Sequence, residues 1–497
     1  MNMKPNILLI LTDDQGRADY SAFGTPDIET PNIDSIFNEG ITFDNFYANS
    51  PVCSPTRAAL LTGCHPDRVG VPGVIRHTPE NSWGYLSPKV LLLPQLLGRA
   101  GYHCALIGKW HLGLSSPNTP NERGFHYFRG FLGDMMDDYW THRRGGHNFM
   151  RQNFEEIDPP GHATDLFTDW ACEYLEERSR LLSRNRTGHG SGSGHSPGSG
   201  HGPGSGHSSG SSCACGCHRH VAQPFFLYLA YNAPHDPIQP PPEWLERVEK
   251  RESGMPPGMT PQRRRMVALL EHLDAGIGRV LATLKRTGLE ENTLVVFTSD
   301  NGGLLRRGAD NGPWRGEKGH VYEGGIRVPM AARWPGRITP GSRTTVPGMT
   351  MDLYPTIAAV AGIAPPPGID GRSLLPVMTG EVEEGQEKER EEEREFYFVR
   401  REGGETYGGK TIEALRLGRW KLLQDSPFGP LELYDMENDP LETQDVAGKC
   451  PEVVRELAAR LRRHIQKGGE VPWQASQTPS DPSGGLPASP GLLRKTD

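Results

Sequence analysis

Short, continuous apolar runs punctuate the first part of the chain. Each run is bounded by polar or turn-forming residues, a pattern typical of strands buried on both faces of a parallel sheet. Helical patterns lie between the runs, including residues 89–100 and 266–287. Strands that alternate with helices predict a doubly wound α/β sheet. The runs are Ile7–Leu11, Cys104–Ile107, Phe225–Ala230 and Thr293–Thr298.

Polar and ionisable residues follow each of these predicted strands. Open α/β sheets form their sites at the carboxyl ends of their strands. Loops are polar in any case, and for a single strand that explanation is the better one. Four strands that all end in this way favour one shared site. In chain order the strands are followed by Asp13 and Asp14, by Lys109 and His111, by His235, and by Asp300 and Asn301.

Residues 51–63 predict a helix with a cysteine at its tip. Ser54 is expected to cap the helix, and Gly63 to end it in a left-handed conformation. Cys53 would then lie at the positive end of the helix dipole, where a developing negative charge is favoured. Arg57, one turn further on, could reach such a charge. A lone cysteine is more often a small core residue, so the segment by itself leaves both interpretations open.

Composition excludes several classes of protein. The chain has 497 residues and a net charge of −8, and it lacks a long basic block, which argues against a nucleic-acid partner. Its eight cysteines follow no disulfide-scaffold spacing. The first apolar run is too short for a signal peptide, and no stretch approaches a membrane span. We therefore expect no membrane partner and a cytoplasmic location, or a periplasmic or secreted one if an export signal lies upstream.

Shifts in composition predict the division of the chain. The second domain is expected to be α+β, with an antiparallel hairpin of two strands at 414–423 and 431–435 and a helix at 450–466. The Cys- and His-rich end of the insertion, residues 213–220, could bind zinc, although a solvated insert with incidental metal affinity is the simpler interpretation. The divisions are a main domain at 1–380 with a low-complexity His/Gly/Ser insertion at 188–220, an acidic linker at 381–395, the second domain at 396–470 and a disordered tail at 471–497.

The acidic strand ends indicate a metal. Asp13, Asp14, Asp300 and Asn301 offer three carboxylates and one amide oxygen, hard ligands that suit Ca²⁺ or Mg²⁺. Three carboxylates brought together repel one another unless a cation lies between them. The same sequences also occur in ordinary turns, so both explanations stay open for these residues alone.

Taken together, the motifs resemble those of the type I, formylglycine-dependent sulfatases, of the arylsulfatase and N-acetylgalactosamine-6-sulfatase kind. The resemblance runs in the family's order over roughly residues 4–465, apart from the two biased segments. Leu433–Asp435 with Asn438–Pro440 also resembles the family's C-terminal domain. The motifs are Asp13-Asp14-x-Gly16, Cys53-x-Pro55-x-Arg57 with Leu60–Gly63, Gly108–His111, Ala233–His235, Asp300–Gly302 and Gly316-x-Lys318 to Pro329.

The resemblance implies a fold, a cofactor and a modification. The fold would be that of the alkaline phosphatase superfamily, a large mixed sheet between helices with a smaller C-terminal α+β domain. Cys53 would be oxidised to formylglycine by a formylglycine-generating enzyme, which makes that enzyme a partner in maturation. One Ca²⁺ would be held by Asp13, Asp14, the modified Cys53, Asp300 and Asn301.

The resemblance also implies a reaction. One hydroxyl of the hydrated formylglycine would attack the sulfur of a sulfated small molecule or glycan, and the second would expel sulfate. Arg57 and Lys109 would stabilise the nucleophile's oxygens, and His111 would take the proton that drives elimination. Lys318 and His235 would bind sulfate and protonate the leaving oxygen.

Two alternatives remain beside this hypothesis. A phosphatase or phosphodiesterase of the same superfold would use Ser or Thr as its nucleophile, and a cysteine phosphatase needs Cys-x₅-Arg where this chain has a spacing of three. A non-catalytic protein that binds a sulfated glycan is compatible with every residue named above. The substrate is not specified by the sequence; residues 134–147 could line the mouth of the pocket, although a surface loop is the simpler interpretation.

Overall fold

The computed structural model describes residues 4–187, 223–251, 259–382, 394–403 and 411–472. The strands are, in chain order, β1 (Asn6–Thr12), β2 (Ile41–Phe43), β3 (Phe46–Tyr47), β4 (His103–Lys109), β5 (Tyr127–Phe131), β6 (Arg143–Arg144), β7 (His147–Asn148), β8 (Met150–Gln152), β9 (Glu155–Glu156), β10 (Phe225–Ala230), β11 (Thr293–Ser299), β12 (Met330–Arg333), β13 (Ser342–Thr344), β14 (Gly348–Met349), β15 (Glu395–Arg401), β16 (Thr411–Leu417), β17 (Trp420–Gln424) and β18 (Glu432–Asp435). The α-helices are α1 (Pro31–Asn38), α2 (Cys53–Thr62), α3 (Leu93–Arg99), α4 (Ala163–Thr187), α5 (Pro242–Arg251), α6 (Pro261–Arg286), α7 (Glu323–Ile326), α8 (Leu353–Val360), α9 (Leu375–Met378) and α10 (Pro451–Gly468).

One large mixed sheet dominates the fold. Its strand order is β13-β2-β12-β11-β1-β10-β4-β5-β8-β9. The centre, from β11 to β5, is parallel, whereas β12 and β8 run antiparallel to their inner neighbours. The predicted α/β class with a large mixed sheet between helices is confirmed. The four apolar runs of the sequence are β1, β4, β10 and β11, which lie side by side in the parallel centre.

Apolar clusters cover both faces of this sheet. In β1, Ile7, Leu9 and Leu11 belong to the cluster that includes residues of α2, α3 and α8. Leu8 and Ile10 belong to the cluster on the other face, which includes residues of α1, α4 and α6. All five side chains are wholly buried. Burial on both faces explains why these strands are continuously apolar instead of alternating with polar residues.

The C-terminal sheet differs from its prediction. Four antiparallel strands, β15 to β18, pair in chain order, and α10 packs against them. The stretch 414–423 is not one strand of a hairpin, because it turns at Gly418 and Arg419 and forms parts of both β16 and β17. β15 was not predicted, since its first residue, Glu395, ends an acidic run that obscures the apolar pattern beginning at Phe396. The domain boundaries stay predictions.

Several predicted segments lie wholly or mostly outside the described residues. They are the insertion at 188–220 with its Cys- and His-rich end, most of the acidic linker at 381–395, and nearly all of the tail at 471–497. None of the helices in the described ranges combines the length and the apolar composition that a membrane span needs.

Candidate active site

The carboxyl ends of the central strands meet at one place, as the sequence predicts. Because β1 lies between β10 and β11, the residues that follow these strands are neighbours. The backbone N–H of Asp13 donates to the carbonyl of Ala233 at 3.2 Å, and that of Asp300 donates to the carbonyl of Thr12 at 3.2 Å. These bonds continue the sheet ladder beyond the strands and bring the polar loops into one cluster.

Helix α2 delivers Cys53 to this cluster, but it starts earlier than predicted. Cys53 is the first residue of the helix and Val52 precedes it in extended conformation, so Ser54 is not the cap. The Ser54 hydroxyl instead accepts a hydrogen bond from the backbone N–H of Ile75 at 3.1 Å. Gly63 ends the helix with φ 70°, as expected. Cys53 therefore lies directly at the amino end of the helix.

An acidic cluster surrounds the thiol. The Cys53 Sγ is 3.2 Å from Asp13 Oδ1 and 3.9 Å from Asp14 Oδ1. The backbone N–H of Asp14 donates to Asp300 Oδ1 at 3.2 Å, and Asn301 Nδ2 donates to Asp14 Oδ1 at 2.8 Å. Asn301 Oδ1 is buried without a hydrogen-bond partner among the described residues. The ligand atoms of Asp13, Asp14, Cys53 and His235 all lie within 4.8 Å of one another.

Three cations compensate these carboxylates, the wholly buried Arg57 and Lys109 and the partly exposed Lys318. Lys109 Nζ lies 2.5 Å from Asp13 Oδ2, and Lys318 Nζ lies 2.6 Å from Asp14 Oδ2. Arg57 donates to Asp300 Oδ2 from Nε and Nη2, at 3.1 and 2.9 Å. Its Nη1 donates to the carbonyl of Lys109. The guanidinium thus holds the strand ends together beside the thiol and is itself wholly buried.

The electrostatic environment shifts the pKa values of the neighbouring Asp13 and Asp300 in opposite directions. Burial raises the pKa of Asp13, but Lys109, His235 and Arg57 more than offset this, and the pKa ends well below the ordinary value. Burial and the nearby charge of Asp13 raise the pKa of Asp300 to about 7. Burial, with Asp13 and Asp300, also raises the pKa of the Cys53 thiol. An unmodified Cys53 is therefore held as a neutral thiol, a weak nucleophile.

Two histidines complete the cluster. The Nε2 of His111 lies 2.9 Å from the carbonyl of Ile75. A carbonyl only accepts, so Nε2 carries the hydrogen and Nδ1 presents its lone pair; Nδ1 has no hydrogen-bond partner in the described part of the chain. His235 Nε2 is 3.0 Å from Lys318 Nζ, and its Nδ1 is 2.8 Å from the carbonyl of Asp236. Burial is the largest factor that lowers the pKa of each imidazole, so both favour the neutral form.

A pocket of about 590 Å³ opens above the thiol. Asp14, Cys53, His111, His235 and Lys318 line it. The other predicted site residues do not line the pocket and are wholly buried. They are Asp13, Arg57, Lys109, Asp300 and Asn301. The cluster thus has an accessible layer that can meet a substrate and a buried layer that fixes charge and position.

Sequence reasoning missed much of the pocket wall. Arg76, Arg144 and Arg400 line the pocket, and so does Asp134. Asp134 and Arg144 come from the stretch at 134–147, so the alternative that this stretch lines the pocket mouth is confirmed for these two residues. Arg76 and Arg400 come from segments with no motif, more than 300 residues apart along the chain. No local signal in the sequence could have brought them together.

Comparisons with known proteins agree with this geometry. The family described as Sulfatase matches residues 5–183 and 217–363, and the family described as N-sulphoglucosamine sulphohydrolase, C-terminal, matches residues 314–468. N-acetylgalactosamine-6-sulfatase of Canis lupus familiaris is 34% identical over 430 residues, covering 84% of this chain and 71% of the relative. Arylsulfatase A of Homo sapiens is 31% identical over 506 residues, covering 95% and 90%. The crystal structure of Ps i-CgsB is 28% identical, with a TM-score of 0.76 and coverage of 95% of this chain and 96% of that chain.

Proposed function

The chain belongs to the sulfatase family and hydrolyses sulfate esters, and on that basis we propose that it does so with a formylglycine formed from Cys53 and with one bound Ca²⁺. The observation that carries the proposal is the position of Cys53. Its Sγ lies among Asp13, Asp14 and His235, and the residue lines the same pocket as His111 and Lys318. A formylglycine-generating enzyme would be the partner in maturation.

The residues present fit a hard cation. Asp13, Asp14 and Asp300 offer carboxylate oxygens, and the Oδ1 of Asn301, which no described residue contacts by a hydrogen bond, supplies an amide oxygen in the same cluster. An oxygen donor set of this kind suits Ca²⁺ better than zinc. These four residues and the modified Cys53 would hold the ion, which would supply Lewis-acid stabilisation of negative charge.

When hydrated, formylglycine supplies two hydroxyls on one carbon, one to attack sulfur and one to expel sulfate. The chain's own side chains support this chemistry. Lys109 and Arg57 hold positive charge beneath the nucleophile, in a water-excluded environment where such charge acts strongly. His111 Nδ1 is suited to take a proton inside the pocket. The contact between Lys318 and His235 is suited to deliver a proton to the departing oxygen.

We propose a carbohydrate sulfate as the substrate. Ps i-CgsB has been solved in complex with k-i-k-neocarrahexaose, and that structure shares 28% identity and a TM-score of 0.74 with this chain. N-acetylgalactosamine-6-sulfatase, by its name, acts on a sulfated sugar. A pocket of about 590 Å³ is also large enough for a saccharide unit.

The test is expression with and without a formylglycine-generating enzyme. Mass analysis of the peptide that carries Cys53 measures conversion, and turnover of an aryl sulfate and of a sulfated monosaccharide measures activity. We expect turnover in proportion to the converted fraction. Equal, repeated turnover by protein shown to retain the thiol would refute the formylglycine. Absence of turnover of any sulfate ester by fully converted, calcium-loaded protein would refute the proposed reaction.

A further inference from the structure

One buried tyrosine that the proposed reaction does not use holds the loop that carries His235. The hydroxyl oxygen of Tyr139 lies 2.9 Å from the carbonyl oxygen of Asn232 and 2.8 Å from that of His235, so its one hydrogen serves both acceptors. The backbone N–H of His235 also donates to the carbonyl of Asn232 at 2.8 Å, which closes a turn over residues 232–235. The Tyr139 hydroxyl therefore bridges the two ends of the turn that presents His235 to the pocket.

Tyr139 is itself fixed from several directions. Its buried ring stacks on that of His162, with centroids 5.0 Å apart and planes at 25°. Its carbonyl accepts from the backbone N–H of Ala163, the first residue of α4, at 2.9 Å. Its backbone N–H donates to Gln239 Oε1 at 2.8 Å, and Gln239 Nε2 donates to Asp138 Oδ2 at 3.0 Å. The position of the hydroxyl is therefore set by α4 and by Gln239.

The hydroxyl is a permanent donor. Burial, together with the nearby charges of Asp13 and Asp14, raises the pKa of Tyr139 well above its ordinary value, so the hydrogen stays on the oxygen. Carbonyl oxygens only accept, and a carbonyl inside a protein that loses its donor carries an energetic penalty. Removal of the hydroxyl would take a donor from both carbonyls at once and would favour a displaced turn.

The position of the turn decides how His235 meets Lys318. Because His235 Nδ1 lies 2.8 Å from the carbonyl of Asp236, Nδ1 carries the hydrogen and Nε2 presents its lone pair. This Nε2 accepts from Lys318 Nζ at 3.0 Å. A displaced turn would carry the imidazole away from Lys318, and proton transfer depends strongly on such distances.

We propose that Tyr139 is a positioning residue for protonation of the leaving oxygen. The inference rests on the proposed function, in which the departing oxygen takes a proton from the pair of Lys318 and His235 and leaves as the alcohol. Tyr139 does not line the pocket, so it acts on this step through the place of the His235 imidazole and not by contact with the substrate.

The test compares leaving groups in Tyr139→Phe, with converted and calcium-loaded enzyme. A nitrophenolate leaves readily without a proton, whereas the alcohol oxygen of a saccharide sulfate needs one. We expect kcat/KM to fall at least about tenfold for a sulfated monosaccharide and less than about threefold for a nitrophenyl sulfate. A merely structural role lowers the amount of active protein and reduces both values equally. Equal loss on both esters, or no loss on either, would overturn the inference, while wild-type turnover of both leaves the proposed function intact.

A control and a double variant show whether Tyr139 acts through His235. Tyr102→Phe removes another buried hydroxyl, which donates to the carbonyl of Pro5 at 2.9 Å and does not line the pocket, and should keep the wild-type ratio of the two kcat/KM values. In a His235→Gln background, Tyr139→Phe should change that ratio no further, because the group that it positions is absent. A further fall of about tenfold in that background would overturn the inference.

Gln239→Met covers the case in which Tyr139→Phe does not fold. This change removes the acceptor of the Tyr139 N–H and the bond to Asp138 but keeps the hydroxyl. We expect the same selective loss on the sulfated monosaccharide. A wild-type ratio in Gln239→Met would then overturn the inference.

Discussion

Lys421 and Glu323 form a buried ion pair between the C-terminal sheet and the active-site region. Lys421 Nζ lies 2.9 Å from Glu323 Oε1, and neither side chain has any exposed surface. Lys421 also lies 2.7 Å from Glu442 Oε1. Burial raises the pKa of Glu323, but Lys421 and Arg327 more than offset this and lower it to about 2. Because Glu323 begins α7, five residues after Lys318, the pair connects the small sheet to the loop that carries a predicted catalytic lysine.

Removing Lys421 should destabilise the protein strongly. Lys421→Met removes the cation that both Glu323 and Glu442 contact and leaves Glu323 with Arg327 alone, for which we expect a loss of about 3–5 kcal/mol in the free energy of unfolding. Denaturant unfolding at pH 7 measures it. Arg419→Gln is the matched control, since Arg419 is 41% exposed and pairs with Asp435 on the same sheet; we expect its free energy of unfolding to stay close to that of the wild type. Equal losses in the two variants would contradict this account.

Cys53→Ser should give a single turnover. A lone serine hydroxyl can attack sulfur but has no second hydroxyl on the same carbon to expel sulfate, so a sulfated serine should accumulate. Rapid-quench kinetics should show a burst of about one product per enzyme followed by a stall, and mass analysis should find sulfate on residue 53. Cys53→Ala is the control and should show no burst. Sustained turnover by the serine variant would refute the role of the second hydroxyl.

Asp300→Asn should weaken calcium binding. The amide keeps the shape of the side chain and an oxygen that can accept from Arg57, but it removes one negative charge from the proposed ligand set. We expect at least about a tenfold loss of affinity, measured by calorimetric titration with CaCl₂. Asp370→Asn is the control, since that carboxylate pairs with Arg68 away from the cluster. Wild-type affinity in Asp300→Asn would show that the ion, if bound, lies elsewhere.

Acidification should destabilise the protein in part through His65. This side chain is buried against Tyr397 and His464, and burial lowers its pKa to about 3, although Asp370 opposes the shift. Between pH 3 and pH 6.5 the unfolded state binds a proton that the folded state excludes. The contribution of neutral His65 to the free energy of unfolding is therefore complete above pH 6.5. It is lost as the pH falls, at about 1.4 kcal/mol per pH unit.

The measurement is the free energy of unfolding of wild type and His65→Gln at pH 7, 6 and 5. The variant should lose less stability on acidification than the wild type, whatever its stability at pH 7. His147→Gln, at an exposed histidine, should keep the wild-type slope. If the free energy of unfolding of His65→Gln falls with pH as steeply as that of the wild type, another titrating group causes the loss.

The sequence predicted the parallel centre of the sheet and the polar strand ends because each depends on a local pattern. Burial on both faces makes β1 and β11 continuously apolar, and parallel pairing then brings Asp13 and Asp300 together wherever the strands lie in the chain. The start of α2 was misplaced because Ser54 has the character of a cap but its hydroxyl bonds to Ile75 instead. The meeting of Arg76 and Arg400 at the pocket could not be predicted, since these two residues come together only through tertiary packing around Glu402.

The position of Arg400 and Glu402 in the chain affects how the pocket can change over time. Arg400 belongs to β15 of the small C-terminal sheet and Glu402 follows that strand, whereas the residues around Cys53 are held by the large sheet and α2. The two parts of one pocket are therefore encoded in separate stretches of the gene. Changes confined to residues 394–403 and 411–472 would reshape one wall of the pocket without replacing any residue around Cys53, but they would also act on the Lys318 loop through the Lys421–Glu323 pair. The shape of the pocket and the stability of its catalytic loop therefore change together.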